Sequence, residues 1–142
     1  MHGGNQSYGS LRCKRLFVGI GPGGQALVME TNGERSSAPS PIDLLLIAVG
    51  GCMGSDVVDI LKKKRERITD YRIEVHGERR QEFPRSYKNI RIHHVVKGPN
   101  LSEGSVKQAV ELSNSKYCSV AATLRPTAEI SVTFDVVPDR ES

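Results

Sequence analysis

The chain has 142 residues, of which 37% are hydrophobic and 25% are charged, and it has no tryptophan. This length and composition predict a single soluble globular domain over residues 1–142, with residues 1–10 loosely ordered. The first residues lack both a basic region and an apolar core, so we expect no signal peptide and a cytoplasmic location. No segment reaches the roughly 20 apolar residues of a membrane span, so no membrane partner is expected.

The formal net charge is +4, and the basic residues are scattered among sixteen acidic ones. The densest basic run is Lys62-Lys63-Lys64-Arg65, where a long helix is predicted to end. Cations at that position suit the negative end of the helix dipole. No aromatic residues interleave with the run for stacking on bases, so the sequence predicts no nucleic-acid partner.

The first predicted element is a β-hairpin. Alternating apolar residues predict strands over residues 12–20 and 26–30, joined by a glycine-rich turn at residues 21–24. The glycines of this region also fit a dinucleotide-binding spacing, but that motif needs a helix that opens at its last glycine. Only seven residues separate Gly24 from the next turn at Asn32, which is too short for such a helix. The pattern therefore favours the hairpin.

A long central helix follows. Ser40 is predicted to cap it, Pro41 suits its first position, and it runs to about Lys64. Residues 44–53 have no polar face, which predicts that this half of the helix is buried. The pair Gly50-Gly51 costs about 2 kcal/mol relative to two alanines. Such a pair suggests either the close approach of another backbone or space beside a thiol.

The second half of the chain predicts another hairpin and two further helices. The hairpin strands are residues 71–81 and 87–96, and the last strand is residues 130–137. Ser102 is predicted to cap the first helix and Ser115 a short second one. Because the hairpins and helices are segregated along the chain, the sequence predicts an α+β fold with antiparallel sheets.

The chain has three cysteines, Cys13, Cys52 and Cys118. An odd number at wide spacing indicates neither a disulfide scaffold nor a zinc signature. His93 and His94 are neighbours on a predicted strand, so they face opposite sides of the sheet and cannot chelate one ion together. No metal site and no cofactor are therefore expected.

Two of the cysteines are candidates for chemistry because each lies in a predicted helix. Cys118 is placed in the first turn of its helix, about three residues after Ser115, where backbone amides and Lys116 stabilise a thiolate. Cys52 lies in apolar surroundings, where burial raises the pKa of a thiol. The residues alone leave two interpretations open: a redox pair, or small buried hydrophobic residues, to which we also assign Cys13.

Two motifs around these cysteines resemble the OsmC/Ohr family, bacterial proteins linked to organic hydroperoxide and osmotic stress. The first motif begins at Pro39-Ser40-Pro41 and includes Gly50-Gly51-Cys52 and Asp56-Val57-Val58. The second is Ser115-Lys116-Tyr117-Cys118-Ser119-Val120. With the preceding hairpin, the resemblance covers about residues 12–137, and it is greatest to the YhfA-type subgroup of the family.

The resemblance implies an OsmC-like fold, with antiparallel sheets around a long buried central helix, and an intertwined homodimer with active sites at the subunit interface. It also implies a thiol-dependent peroxidase for oxidative stress defence, with Cys52 and Cys118 close together in one subunit. Cys52 would attack an organic hydroperoxide, Cys118 would resolve the sulfenic acid to a disulfide, and a dithiol reductant would reopen it. Leu45, Val49 and Met53 are expected to bind the substrate and to favour alkyl hydroperoxides over H₂O₂.

Peroxidase members of the family pair the first cysteine with an arginine and a glutamate. Here Ile42 stands where the glutamate is expected, and Asp43 is one residue later, about 100° further around the helix. Residues 21–24 have no arginine. Arg35 and Asp43 are therefore the predicted activating groups, with Arg125 as a remoter alternative. Two other functions stay open: a catalytically weak redox-sensing or small-molecule binding protein, and a structural dimer with inert thiols.

Overall fold

The computed structural model describes residues 8–13, 15–31 and 37–139. The chain forms two compact units, and the division between them falls at Leu45/Leu46, inside the long central helix. A single domain over residues 1–142 stays a prediction. Of the ten amino-terminal residues expected to be loosely ordered, 8–10 belong to a strand, and 1–7 lie outside the described residues.

The first unit contains an antiparallel sheet with the strand order β1-β2-β3. Its strands are β1 (Tyr8–Cys13), β2 (Leu16–Ile20) and β3 (Ala26–Glu30). The single strand predicted over residues 12–20 is wrong, because the chain turns between β1 and β2, where Arg15 has a φ of 62°. β1 and β2 pair with each other instead of forming one continuous strand.

The predicted hairpin is formed by β2 and β3, which are antiparallel. The Gly21 N–H donates to the Gln25 carbonyl (2.9 Å), and the Gly24 N–H donates to the Gly21 carbonyl (2.9 Å). Gly24 has a φ of 88°, which only glycine adopts without strain. The glycines therefore form a β-turn and not a nucleotide-binding loop.

The central helix α1 spans Pro41–Lys63, close to its predicted limits. Its start is a reciprocal cap: the Asp43 N–H donates to Ser40 Oγ (3.2 Å), and the Ser40 N–H donates to Asp43 Oδ2 (3.4 Å). The chain leaves the helix through Arg65, whose φ is 59°. Both ends of α1 thus follow the local signals in the sequence.

Only one face of α1 is buried within the chain, so the prediction that residues 44–53 are buried on all sides is wrong for the chain by itself. Val49, Met53, Val57 and Leu61 are completely buried at a spacing of four residues. On another face, Ile47 is 58% and Val58 is 40% exposed. By length and composition α1 could also cross a membrane, but core helices of soluble proteins pass the same test.

The second unit contains a mixed sheet with the strand order β4-β5-β6. Its further elements are β4 (Asp70–Arg79), β5 (Tyr87–Gly98), α2 (Glu103–Leu112), a π-helical turn (Ser113–Tyr117), α3 (Ser119–Leu124) and β6 (Glu129–Pro138). β5 pairs with β4 in antiparallel and with β6 in parallel orientation, so the expectation of purely antiparallel sheets is wrong. The long helical connection between β5 and β6 makes a parallel neighbour possible.

One face of this sheet packs against α1 and α2 to form the core. The completely buried members include Val57 and Leu61 of α1, Val96 of β5 and Val106 of α2. Alternate residues of the strands point towards the helices, as the period of two requires.

Gly50 and Gly54 lie where α1 approaches β4. A Cβ on Gly50 would lie 3.1 Å from Val75 Cγ2, and one on Gly54 would lie 2.8 Å from Ile73 Cδ1. Gly51 faces open space among the described residues. The glycine pair is thus explained in part: Gly50 leaves room for the side chains of β4, whereas a Cβ on Gly51 would contact none of the described residues.

Candidate active site

Cys52 and Cys118 come together in the second unit from separate elements. Cys52 lies in the middle of α1, and Cys118 lies directly before α3. Their Sγ atoms and a carboxylate oxygen of Asp56 all lie within 4.8 Å of one another. Cys52 is half-buried, and Cys118 is only 3% exposed. The proximity of the two thiols that the resemblance implied is therefore present in the fold.

The backbone around Cys118 differs from the prediction. The Cys118 N–H closes the π-helical turn by donating to the Ser113 carbonyl (2.9 Å). Cys118 is then the N-cap of α3, and its Sγ accepts the Ala121 N–H at 3.3 Å. Ser115, the predicted cap, instead donates its hydroxyl back to the Glu111 carbonyl (2.8 Å). The sulfur itself takes the capping position, so Cys118 precedes the first turn and does not lie in it.

The pKa of Cys52 is lowered. Burial raises the pKa of this thiol, and the charge of Asp56 raises it a little further. Hydrogen bonds that stabilise the thiolate act against these effects and exceed them. The donors are the Val120 backbone N–H, the Cys118 thiol and the Ser119 hydroxyl. The start of α3 therefore stabilises a thiolate that belongs to α1.

The pKa of Cys118 is raised to about 11, first because the thiol is buried and second because it donates to Cys52. The backbone N–H of Ala121 only partly offsets these effects. The sequence predicted the opposite order of acidity. That prediction was wrong because the sequence indicates that a helix begins near Cys118. It does not indicate that the Cys52 sulfur of α1 also accepts hydrogen bonds from the start of that helix.

Asp56 and Ser113 complete the site and were not predicted. Ser113 is completely buried, and its hydroxyl donates to Asp56 Oδ2 at 2.9 Å. Asp56 is four residues after Cys52 on α1, so the two side chains share one helix face, a spacing visible in the sequence. No comparable signal marked Ser113, which reaches the site through the π-helical turn.

A buried polar pair lies close to Asp56. Tyr71 Oη and His94 Nδ1 are 2.5 Å apart, and their rings stack with centroids 5.9 Å apart. Burial and then the charge of Asp56 raise the pKa of Tyr71. His94 is completely buried, and its Nε2 has no hydrogen-bond partner among the described residues. Asp56 therefore acts electrostatically on both the Cys52 thiol and the Tyr71 hydroxyl.

The other predicted site residues fall in different places. Asp43 is exposed, caps α1 and belongs to the first unit, as does Leu45, which is 37% exposed. Val49 and Met53 are completely buried in the core of the second unit. Arg35 lies outside the described residues.

No lysine or arginine is among the main influences on the pKa of Cys52 in the part of the chain that the structure describes. The remoter candidate, Arg125, donates instead to the carbonyl and Oδ1 of Asn114 (2.6 and 2.8 Å). Lys116 Nζ lies 5.3 Å from the centroid of the Tyr117 ring. Among the residues that the structure describes, hydrogen-bond donors and not cations are the main groups that stabilise the Cys52 thiolate.

Asp56→Asn is expected to lower the pKa of Cys52 further, because it removes a negative charge that opposes the thiolate. The pH profile of iodoacetamide alkylation at Cys52, followed by peptide mass spectrometry, measures this shift. We expect the variant's profile to move to lower pH and Cys118 to react more slowly than Cys52 at neutral pH. Asp59→Asn, on the same helix, is the matched control. An unchanged or upward shift for Asp56→Asn contradicts the site.

Fold and site together define an α+β protein in which a cysteine of the central helix meets a second cysteine at the start of a short helix. The family model described as OsmC-like protein matches residues 33–133. The chain therefore belongs to the OsmC-like protein family.

Individual relatives agree with this assignment. The chain is 40% identical over 121 residues to protein YhfA of Escherichia coli strain K12, covering 85% of this chain and 90% of that protein. It is 31% identical to a hypothetical protein from Aquifex aeolicus VF5, with a TM-score of 0.86 over 98% of this chain and 100% of that one. An organic hydroperoxide resistance protein OsmC from Legionella pneumophila shares the fold, with 12% identity and a TM-score of 0.71 over 94% and 97% of the two chains.

Proposed function

We propose that this protein is a thiol-dependent peroxidase that reduces organic hydroperoxides through a two-cysteine cycle and so serves in oxidative stress defence. The observation that carries the proposal is the pair of sulfurs within 4.8 Å of each other, one half-buried and one buried. The description of the Legionella pneumophila protein as an organic hydroperoxide resistance protein supports the choice of substrate class.

The first step uses Cys52 as the nucleophile. Its thiolate attacks the terminal oxygen of the hydroperoxide and the O–O bond breaks. The alkoxide leaves and takes up from water one proton, equivalent to the one that the Cys52 thiol released on ionisation, to become the alcohol. Cys52 becomes a sulfenic acid. The lowered pKa of Cys52 and its partial exposure both suit this role, because the thiolate is the reactive form and the hydroperoxide must reach it.

The second step uses Cys118 as the resolving residue. Its sulfur attacks the sulfenic sulfur, water leaves with the Cys118 proton, and a disulfide forms. A dithiol reductant then reopens the disulfide through a mixed disulfide, which restores both thiols. Burial protects Cys118 from direct oxidation, and its raised pKa keeps it a thiol that donates to Cys52 until the sulfenic acid forms.

The remaining predicted residues enter the proposal with smaller roles. Arg35 and Asp43 are proposed to aid activation of Cys52, and Leu45 to contact the apolar substrate. Val49 and Met53, which are completely buried, would shape the apolar surroundings of the thiol from within the core.

The test is consumption of cumene hydroperoxide by the reduced protein with a dithiol. We expect turnover, and mass spectrometry after one equivalent of hydroperoxide should find a Cys52–Cys118 disulfide with the loss of two hydrogens. H₂O₂ at the same concentration is the control and should react more slowly. Absence of both turnover and disulfide contradicts the proposal and leaves the thiols as structural residues.

One observation favours a second candidate function, a catalytically weak redox sensor. No cation is among the main influences on Cys52 in the described residues, and a cation is what accelerates many peroxidatic cysteines. A sensor would form the disulfide once, at stoichiometric hydroperoxide, and would show little turnover with a dithiol. The same experiment therefore separates the two functions.

The proposal includes a homodimer in the cytoplasm. Ile47 and Val58 leave an exposed apolar face on α1, with Gly51 and Ser55 between them. A contiguous apolar face on a water-soluble chain commonly marks a protein interface. A second copy of the chain is the proposed cover for this face.

Val58→Asp is expected to weaken the dimer by at least about 10-fold in dissociation constant, because it places a charge in an apolar interface. Light scattering coupled to gel filtration over a concentration series measures the effect. Phe83→Asp is the control, because Phe83 is 90% exposed in the turn between β4 and β5. A wild-type protein of monomer mass, or equal effects of the two variants, contradicts the proposed interface.

A further inference from the structure

Three ligand atoms converge at the thiol pair. The Sγ atoms of Cys52 and Cys118 and a carboxylate oxygen of Asp56 lie within 4.8 Å of one another. Thiolates select Zn²⁺ and other soft metal ions, and a carboxylate is an accepted third ligand. We propose that these three residues bind one thiophilic metal ion per chain, with the fourth coordination position left to water.

The geometry requires only small movements. Zn–S bonds of about 2.3 Å place two sulfurs about 3.8 Å apart in a tetrahedral site, and a sulfur and a carboxylate oxygen about 3.5 Å apart. Because no pair of the three atoms is separated by more than 4.8 Å, each pair closes by at most about 1.3 Å. A shift of this size is within the range of side-chain rotation.

The residues behind the ligands hold them in place. The Ser113 hydroxyl donates to Asp56 Oδ2 at 2.9 Å, and the Ala121 N–H donates to Cys118 Sγ at 3.3 Å. Hydrogen bonds of this kind orient metal ligands and commonly change metal affinity by about 10- to 100-fold. Ser113 is completely buried, so its hydroxyl is fixed towards the site.

An entry path is also present. Asp56 and Tyr117 line a groove of about 490 Å³ that also carries Asp59. Lys63 and Lys64 line the same groove and oppose the approach of a cation, whereas the two carboxylates favour it. The groove is lined by Asp56 but by neither cysteine, so it brings an ion to one of the three proposed ligands.

Metal binding and thiol oxidation exclude each other at this site. A sulfur bound to the metal as a thiolate is not free to form the disulfide, and the disulfide removes both thiolate ligands. The bound ion therefore protects the reduced pair. The inference uses the residues of the proposed peroxidase but does not depend on turnover.

The test is a Cd²⁺ titration of the reduced full chain carrying Cys13→Ser, which leaves only the two site cysteines. The readout is the ultraviolet thiolate-to-cadmium charge-transfer band, which histidine sites do not produce. We expect saturation at one ion per chain, and release of Cd²⁺ when Zn²⁺ is added in large excess, because thiolates prefer the softer Cd²⁺. Asp56→Asn in the same background should weaken binding at least about 10-fold, and Ser113→Ala about 10-fold.

Asp59→Asn is the matched control, because Asp59 lines the same groove and is not one of the three ligands. Its affinity should stay within about 3-fold of the parent, since only a through-space charge is lost. Absence of the charge-transfer band, or equal weakening by Asp56→Asn and Asp59→Asn, overturns the site. The titration needs neither hydroperoxide nor reductant, so a negative result leaves the peroxidase proposal intact. In the same way, absence of hydroperoxide turnover leaves the proposed metal site intact.

Discussion

Cys52→Ser is expected to remove dithiol-dependent consumption of cumene hydroperoxide, with a loss in rate on the order of 10³-fold or more. A serine hydroxyl keeps nearly the size of the thiol but is not ionised at neutral pH, so the donors at the start of α3 have no anion to stabilise. The measurement is the initial rate of hydroperoxide loss at saturating dithiol.

Cys118→Ser is the informative partner of this variant. It leaves Cys52 and its nucleophilic attack in place but removes the sulfur that forms the disulfide, so one equivalent of hydroperoxide is consumed. The sulfenic acid on Cys52 should then persist and be trapped by dimedone, as read by mass spectrometry. If Cys118→Ser lost even this first reaction, or if Cys52→Ser kept turnover, the assignment of the two roles would be wrong.

Acidification from pH 6.5 to pH 4 is expected to lower the free energy of unfolding by about 3 kcal/mol through His94 alone. Burial, and to a smaller extent the charge of the neighbouring His93, lower the pKa of His94 from 6.5 to about 4. Within this interval the unfolded chain binds a proton that the folded chain excludes. The unfolded state therefore binds more protons, and stability falls as the pH falls.

His94→Gln removes the titrating group and should lose about 3 kcal/mol of this pH dependence relative to wild type. His76→Gln is the matched control, since His76 is exposed on the neighbouring strand β4 and is not among the causes of the His94 pKa shift. Urea unfolding at pH 7, 5.5 and 4 gives the three free energies for each protein. A wild-type curve parallel to that of His94→Gln would show that His94 is not held neutral by burial.

Local signals in the sequence predicted most of the secondary structure, because helix caps and turns depend on interactions between residues that are close in the chain. Ser40 and Pro41 begin α1, and Gly24 lies in the turn of the first hairpin. Ser102 caps α2, because its Oγ accepts a hydrogen bond from the Ser105 N–H (3.2 Å). Several predictions failed because a residue's partner is distant in the chain. The parallel pairing of β5 with β6 is one such case.

The candidate site shows the same contrast between local signals and contacts that are distant in the chain. The spacing of Cys52 and Asp56 places both on one helix face, and the motifs around Cys52 and Cys118 identified the family. The sequence did not reveal that Ser113 binds Asp56, because the contact spans 57 positions and passes through a π-helical turn.

By itself, the sequence determined the α+β class, the central helix and the family motifs around Cys52 and Cys118. Only the tertiary structure decided which of these two cysteines is the more acidic. The pKa of a thiol depends on the donors and charges around the sulfur, and for Cys52 these come from Val120 and Ser119, far along the chain. Packing brings the start of α3 to a sulfur of α1, and that contact makes Cys52, and not Cys118, the more acidic thiol.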